Sequence, residues 1–213
     1  MADTNPFSIT LILILISGFA SYQAFNNRSL FTRLMHSPYL EHKDKEYYRF
    51  ISSGFIHGNW MHLLINMFVL YQFGEYVEGR FVSLFGDLMG RINYLLLYFL
   101  TIIFANISTF LKHRENPSFA SVGASGAISG IVFVYVIFQP WSWLLLFFII
   151  PIPAIVAAVL YLFYSSWASK NSQDFIDHDA HLYGAVFGFW FAIFLKPGLF
   201  SLFLDRLVHG FPF

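Results

Sequence analysis

The chain has 213 residues, of which 57% are hydrophobic, 21% aromatic and 11% charged, with no cysteine and a formal net charge of zero. Soluble domains carry about 25% charged residues, so this composition, with its mean hydropathy of +0.61, marks an integral membrane protein. It excludes a disulfide framework, a thiol nucleophile and a cysteine-held metal, and the neutral balance argues against a nucleic-acid partner.

The first apolar run, 7–25, is long enough to cross about 30 Å of hydrocarbon. No Lys or Arg precedes it, so it lacks the basic flank of a signal peptide and is expected to be a retained helix. Residues 26–59 carry Arg28, Arg33, Lys43, Lys45 and Arg49 among many apolar side chains. A structureless loop of that length is uncommon, so short helices at the membrane interface are expected. Further spans are expected at 60–76, 94–110, 122–138, 141–167 and 178–195. Pro151 and Pro153 should kink or loosen the fifth. The tail, 199–213, holds Asp205 and Arg206 and should lie as an amphipathic surface segment. The expected fold is an all-α membrane protein, a compact six-helix bundle forming one domain over 1–213.

The fourth span opens on Gly123-Ala124-Ser125-Gly126-Ala127-Ile128-Ser129-Gly130. Lipid rewards large apolar side chains, so this run of small ones serves something else. Gly126 and Gly130 have the spacing of a small-xxx-small packing face. Spans joined by short turns alternate in direction, so the second, fourth and sixth start on one side. Each carries polar residues in its first turns: His62 and Asn66, Ser125, and His178 and His181. His62 and Asn66 are four apart and share a face. His181 lies on the face of Gly184 and Gly188, where a neighbouring helix can come close.

Polar residues inside a membrane are costly and mark function. A histidine beside a serine suits a general base drawing the hydroxyl proton. His62, Asn66 and a backbone N–H at Ser125 can donate to a developing oxyanion. Asp177 and Asp179 are near His181 in sequence, neither follows it at a same-face spacing, and both are expected to be solvated. His57 and His178 are expected to bond loops or face water, and His36, His42, His113 and His209 to lie at the interface.

At these residues the chain resembles the rhomboid family of intramembrane serine proteases. The resemblance rests on Gly-x-Ser (Gly123, Ser125), His-x-x-x-Asn (His62, Asn66) and Ala-His-x-x-Gly (Ala180, His181, Gly184). Glu78 and Arg80 match a Glu-x-Arg in the loop after the second span, and Arg49 resembles an arginine of the family's first loop; structural roles are expected for these three. The resemblance implies a Ser125–His181 dyad with His62 and Asn66 in the oxyanion hole, and neither cofactor nor metal. It implies lipid-embedded transmembrane protein substrates, cut near their outer ends where a helix unwinds easily. The fifth span would admit them laterally, and 169–177 would act as a cap. It implies a multi-pass protein, in the plasma membrane if bacterial, whose site opens to the non-cytoplasmic side.

Two features depart from the family. Four residues after the nucleophile, where the family often has an aromatic stacked on the histidine, stands Ser129; the stack is either lost or supplied by another side chain. The positive-inside rule also favours the opposite orientation, because most Lys and Arg lie on the side of the site; five of these lie in the long interfacial connection. Three rivals compete with the protease. A metal-dependent hydrolase could use His178, His181, His57 and His62, but there is no His-Glu-x-x-His. An inactive rhomboid-like client binder would usually lack the serine or histidine. A transporter should show inverted repeats and midplane charge.

Overall fold

The computed structural model describes residues 8–146, 149–171 and 176–211. Helix α1 (Ile9–Asn26) is followed by α2 (Arg28–Leu34), α3 (Pro38–Lys43), α4 (Arg49–Ser52) and a 3₁₀ turn at Ser53–Phe55. Then come α5 (Trp60–Phe85), α6 (Asp87–His113) and α7 (Ser125–Phe138). A hairpin of β1 (Trp143–Leu146) and β2 (Ile150–Pro153) leads into α8 (Ala154–Asn171), α9 (His178–Leu195) and α10 (Gly198–His209).

Among the described residues the regular structure is helical apart from those two strands and an isolated bridge between His36 and Ser121. By length and composition, two of the described helices could cross a membrane, α1 and α6, or three if α9 and α10 count as one span broken by 114°. Helix α7 is apolar but short. Helix α5 dilutes its apolar face with His62, Asn66, Glu75, Glu78 and Arg80.

Polar residues set the helix ends. Helix α5 outruns the expected 60–76 because its charged last third is paired inside the protein. The Glu78 carboxylate accepts from the N–H groups of Ile9 and Thr10 at 2.9 Å each and from the Thr10 hydroxyl at 2.9 Å. It also pairs with Arg91 of α6 at 2.7 Å. One carboxylate thus satisfies two of the orphan donors that open α1 and ties three helices together. Ser8 binds Glu75 beside it. The α5–α6 turn is the single Gly86, at φ +83°.

The fifth span needs correction. Residues 141–146 and 149–153 are not helical: Trp143 to Leu146 pair antiparallel with Ile150 to Pro153, and the helix begins only at Ala154. Proline lacks an N–H and biases the residue before it away from helix, so Pro151-Ile152-Pro153 stays extended. The Ala154 and Ile155 N–H groups then donate to Ser142 O and Pro140 O, 2.8 Å each, closing the hairpin onto the helix start. The prolines therefore precede the helix rather than bend it. Of the expected cap, 169–177, residues 172–175 lie outside the described residues.

The core is built on α6, α7 and α9. Tyr94, Leu97 and Tyr98 pack against Ile131, Val134 and Ile137, with Ala185 and Ala192 filling the third side. Outward-facing side chains are large and apolar, with Leu15, Phe163 and Phe194 at 72%, 72% and 81% exposure. In an integral membrane protein that surface meets lipid. Helices α7 and α9 touch backbone to backbone: a Cβ on Gly184 would collide with Gly126, and one on Gly188 with Gly130.

Candidate active site

The site forms where the starts of α5, α7 and α9 meet the α1–α5 connection. Segment 121–123 is pinned there by backbone hydrogen bonds. His36 and Ser121 exchange both backbone hydrogen bonds at 3.0 Å, and Gly123 N–H donates to Ser53 O at 2.9 Å. His36 is fully buried on Glu41, with Nδ1 2.6 Å from the carboxylate; it anchors this connection, whereas the sequence suggests an interfacial position. Arg49 donates to Thr32 O and Met35 O at 2.8 and 2.9 Å and pairs with Glu46. These short helices therefore form a scaffold behind the site.

His57 is fully buried. Its Nε2 accepts from the Ala124 N–H at 3.4 Å, and its Nδ1 lies 3.0 Å from Ser21 Oγ. Because Ser21 donates onward to Phe55 O at 3.2 Å, the proton belongs on Nδ1 and the ring is neutral. Burial, and then the neighbouring His62, push its pKa down to about 3. His57 thus links α1 to the residue preceding Ser125.

Ser125 opens α7. No side chain caps that helix, so its first N–H groups, which lack intrahelical acceptors, leave a positive helix end at the serine. Ser125 Oγ stands 2.7 Å from His181 Nε2. His181 is one turn into α9, whose start is fixed by Asp177. That carboxylate accepts from the Ala180 N–H at 2.9 Å, from Thr109 at 2.8 Å and from Ser121 at 3.0 Å. Asp179 pairs with Lys112 at 2.6 Å. Neither aspartate is simply solvated, contrary to the sequence-based expectation.

His62 lies against Gly123: a Cβ there would stand 2.8 Å from His62 Cε1 and Nε2. Gly123 also has φ +122°, so glycine is required twice over. Asn66 is buried one turn further along α5, its amide donating to His62 O at 2.8 Å. Beside Ser125 is a cavity of about 20 Å³, lined in part by Ser53, Asn106, Ser121 and Asp177. That is room for one water, with polar partners to hold it.

The structure therefore brings Ser125 to His181 and His62 to Gly123. His178 is buried and packs edge-on to His181, with ring centroids 6.0 Å apart. Among the described residues, no group of three His, Asp or Glu could hold a metal ion. Sequence reasoning missed the His57 bridge, the Asp177 cap and Tyr161, whose ring stacks on His181 with centroids 6.1 Å apart. An Asp just before an apolar helical run is an N-cap signal and could have revealed Asp177. No local signal marked Tyr161.

Residues 44–198 match the Rhomboid domain family. The chain is similar to Rhomboid-like protein 11, chloroplastic, of Arabidopsis thaliana, 36% identical over 108 residues, covering 50% of this chain and 35% of that protein. It is also similar to RHOMBOID-like protein 12, mitochondrial, of the same plant, 26% identical over 184 residues, covering 83% of this chain and 54% of that protein. The match thus spans between a third and about half the length of these curated relatives.

Proposed function

The chain belongs to the rhomboid family, and on that premise we propose that it is an intramembrane serine endopeptidase using a Ser125–His181 dyad. The observation that carries this reading is the 2.7 Å separation of Ser125 Oγ and His181 Nε2 at an uncapped helix start. His181 Nε2 takes the hydroxyl proton as Oγ attacks the scissile carbonyl. The oxyanion is met by the Ser125 N–H, His62 and Asn66. His181 then gives the proton to the leaving amine, and the acyl-enzyme is hydrolysed by water, for which the small polar cavity is a reservoir.

In this reading α1, α5, α6, α7, α8 and α9 are the six membrane spans, the shorter ones sheltered by the rest. Substrates are transmembrane proteins, cut near the end of a span at small residues where the helix unwinds. They arrive from the lipid past α8 and its hairpin, with 169–177 as the cap. The site opens to the non-cytoplasmic side, at the plasma membrane if the cell is bacterial. The test is cleavage of a reporter transmembrane substrate by purified protein in liposomes. Loss of cleavage in Ser125→Ala and His181→Ala, with both variants folded, supports the dyad. Cleavage that persists in Ser125→Ala and vanishes with a chelator overturns it in favour of a metal hydrolase. A wild type that binds substrate but neither cleaves nor is labelled at Ser125 is a client binder.

A further inference from the structure

We infer that Tyr161 of α8 is the positioning residue for His181, and that Ser129 is its anchor; this rests on the protease reading above. Ser129 Oγ donates to the Ser125 carbonyl at 2.8 Å. The Tyr161 hydroxyl lies 2.5 Å from the same Oγ. Since the serine proton is committed to Ser125 O, the tyrosine is the donor. The Tyr161 ring lies over the His181 imidazole, with centroids 6.1 Å apart and planes 24° apart, within the range of an offset stack. The ring is thus fixed at both ends: its hydroxyl to Ser129 of α7, its face to the base.

The two features complement each other in size. A large aromatic at 129, on α7, would compete for the space that Tyr161 fills from α8. The small, hydroxylated Ser129 vacates that space and supplies the acceptor that holds the incoming ring. Helix α8 packs on α9 and touches α7, so the orientation of His181 depends on α8 being docked.

The experiment measures kcat and KM for a reporter transmembrane substrate in liposomes, together with Ser125 labelling by a fluorophosphonate and the unfolding midpoint. It compares wild type, Tyr161→Leu and Tyr161→Phe. Tyr161→Leu is expected to lower kcat and the labelling rate by about 10- to 100-fold, as a misplaced base does, with KM unchanged within about twofold. Tyr161→Phe keeps the ring and should restore kcat to within about fivefold of wild type. If Leu at 161 impairs accumulation in membranes, Tyr161→Met takes its place. The inference is overturned if the ringless variant keeps wild-type kcat, if the loss appears in KM, or if Tyr161→Phe is as poor as Tyr161→Leu. A wild type that neither cleaves nor labels overturns the protease reading itself, and this inference with it.

Discussion

Gly184 of α9 sits so closely on Gly126 of α7 that a single methyl group on Gly184 would collide with the Gly126 carbonyl. This contact lies one turn beyond His181 and one residue beyond Ser125. The spacing of the two helices, and with it the hydroxyl–imidazole distance, is set by glycine.

Substituting Gly184→Ala or Gly188→Ala should therefore push α7 and α9 apart. The expected cost is about 1–3 kcal/mol, as for other overpacked contacts, with Ser125 labelling lost in the fraction that still folds. Gly18 and Gly79 are the controls, because a Cβ at either meets nothing within 4 Å. Alanine there should be neutral or stabilise by up to about 1 kcal/mol. Unfolding midpoints in mixed micelles with increasing SDS check both expectations.

Gly123→Ala should separate activity from stability. The backbone strain at φ +122° costs about 1–3 kcal/mol, which a folded protein can absorb. The new methyl, however, meets the His62 ring and displaces a group proposed to hold the oxyanion. Cleavage should fall by about 100-fold, the usual scale for losing one such donor, while the midpoint moves modestly. Wild-type cleavage in this variant would argue against a role for His62.

Glu78→Ala should do the reverse. Glu78 is about 24 Å along α5 from His62 at 1.5 Å per residue, and it holds the N-terminus of α1 and Arg91. Removing one member of a buried ion pair costs about 3–5 kcal/mol. Glu78→Gln keeps an acceptor for the α1 N–H groups and should cost less. In both variants the surviving folded protein should still label at Ser125, as seen by labelling normalised to folded protein.

The His57 bridge makes stability pH-dependent. Its pKa is pushed down from 6.5 to about 3, by burial first and by His62 second. Between those values the unfolded chain binds a proton that the folded chain does not. This contribution is therefore fully present above about pH 6.5 and is lost as pH falls towards 3. One group loses about 1.4 kcal/mol per pH unit in that window, or about 2 kcal/mol by pH 5. SDS unfolding at about pH 7.5 and pH 5 should show a fall in wild type that is smaller by that amount in His57→Gln. Equal falls in both would contradict the neutral bridging role.

Much of the candidate site was legible because it consists of residues whose chemistry is costly in a membrane. Ser125, His181, His62 and Asn66 stood out as polar groups in apolar helices, and the glycines beside them showed which faces could meet. The scaffold behind the site was not legible. His36, His57 and Glu41 sit in a segment rich in charge and aromatics, where nothing local distinguishes a buried pair from an interfacial one. Their burial follows from how the short helices α2 to α4 fold back under segment 121–124. Residues 141–167 read as one long apolar span because hydropathy does not separate a strand hairpin from a helix; the spacing of Pro151 and Pro153 was the stronger signal. The stack on His181 was left open at Ser129. Its replacement comes from another helix, through a long-range contact that no sequence period encodes.

The central claim is that Ser125 is a nucleophile activated by His181. It is tested most directly by cleavage of a reporter transmembrane substrate in liposomes, comparing wild type with Ser125→Ala in the presence and absence of a chelator. The account expects wild-type cleavage to survive chelation and to vanish in Ser125→Ala. Cleavage that continues in Ser125→Ala would contradict it.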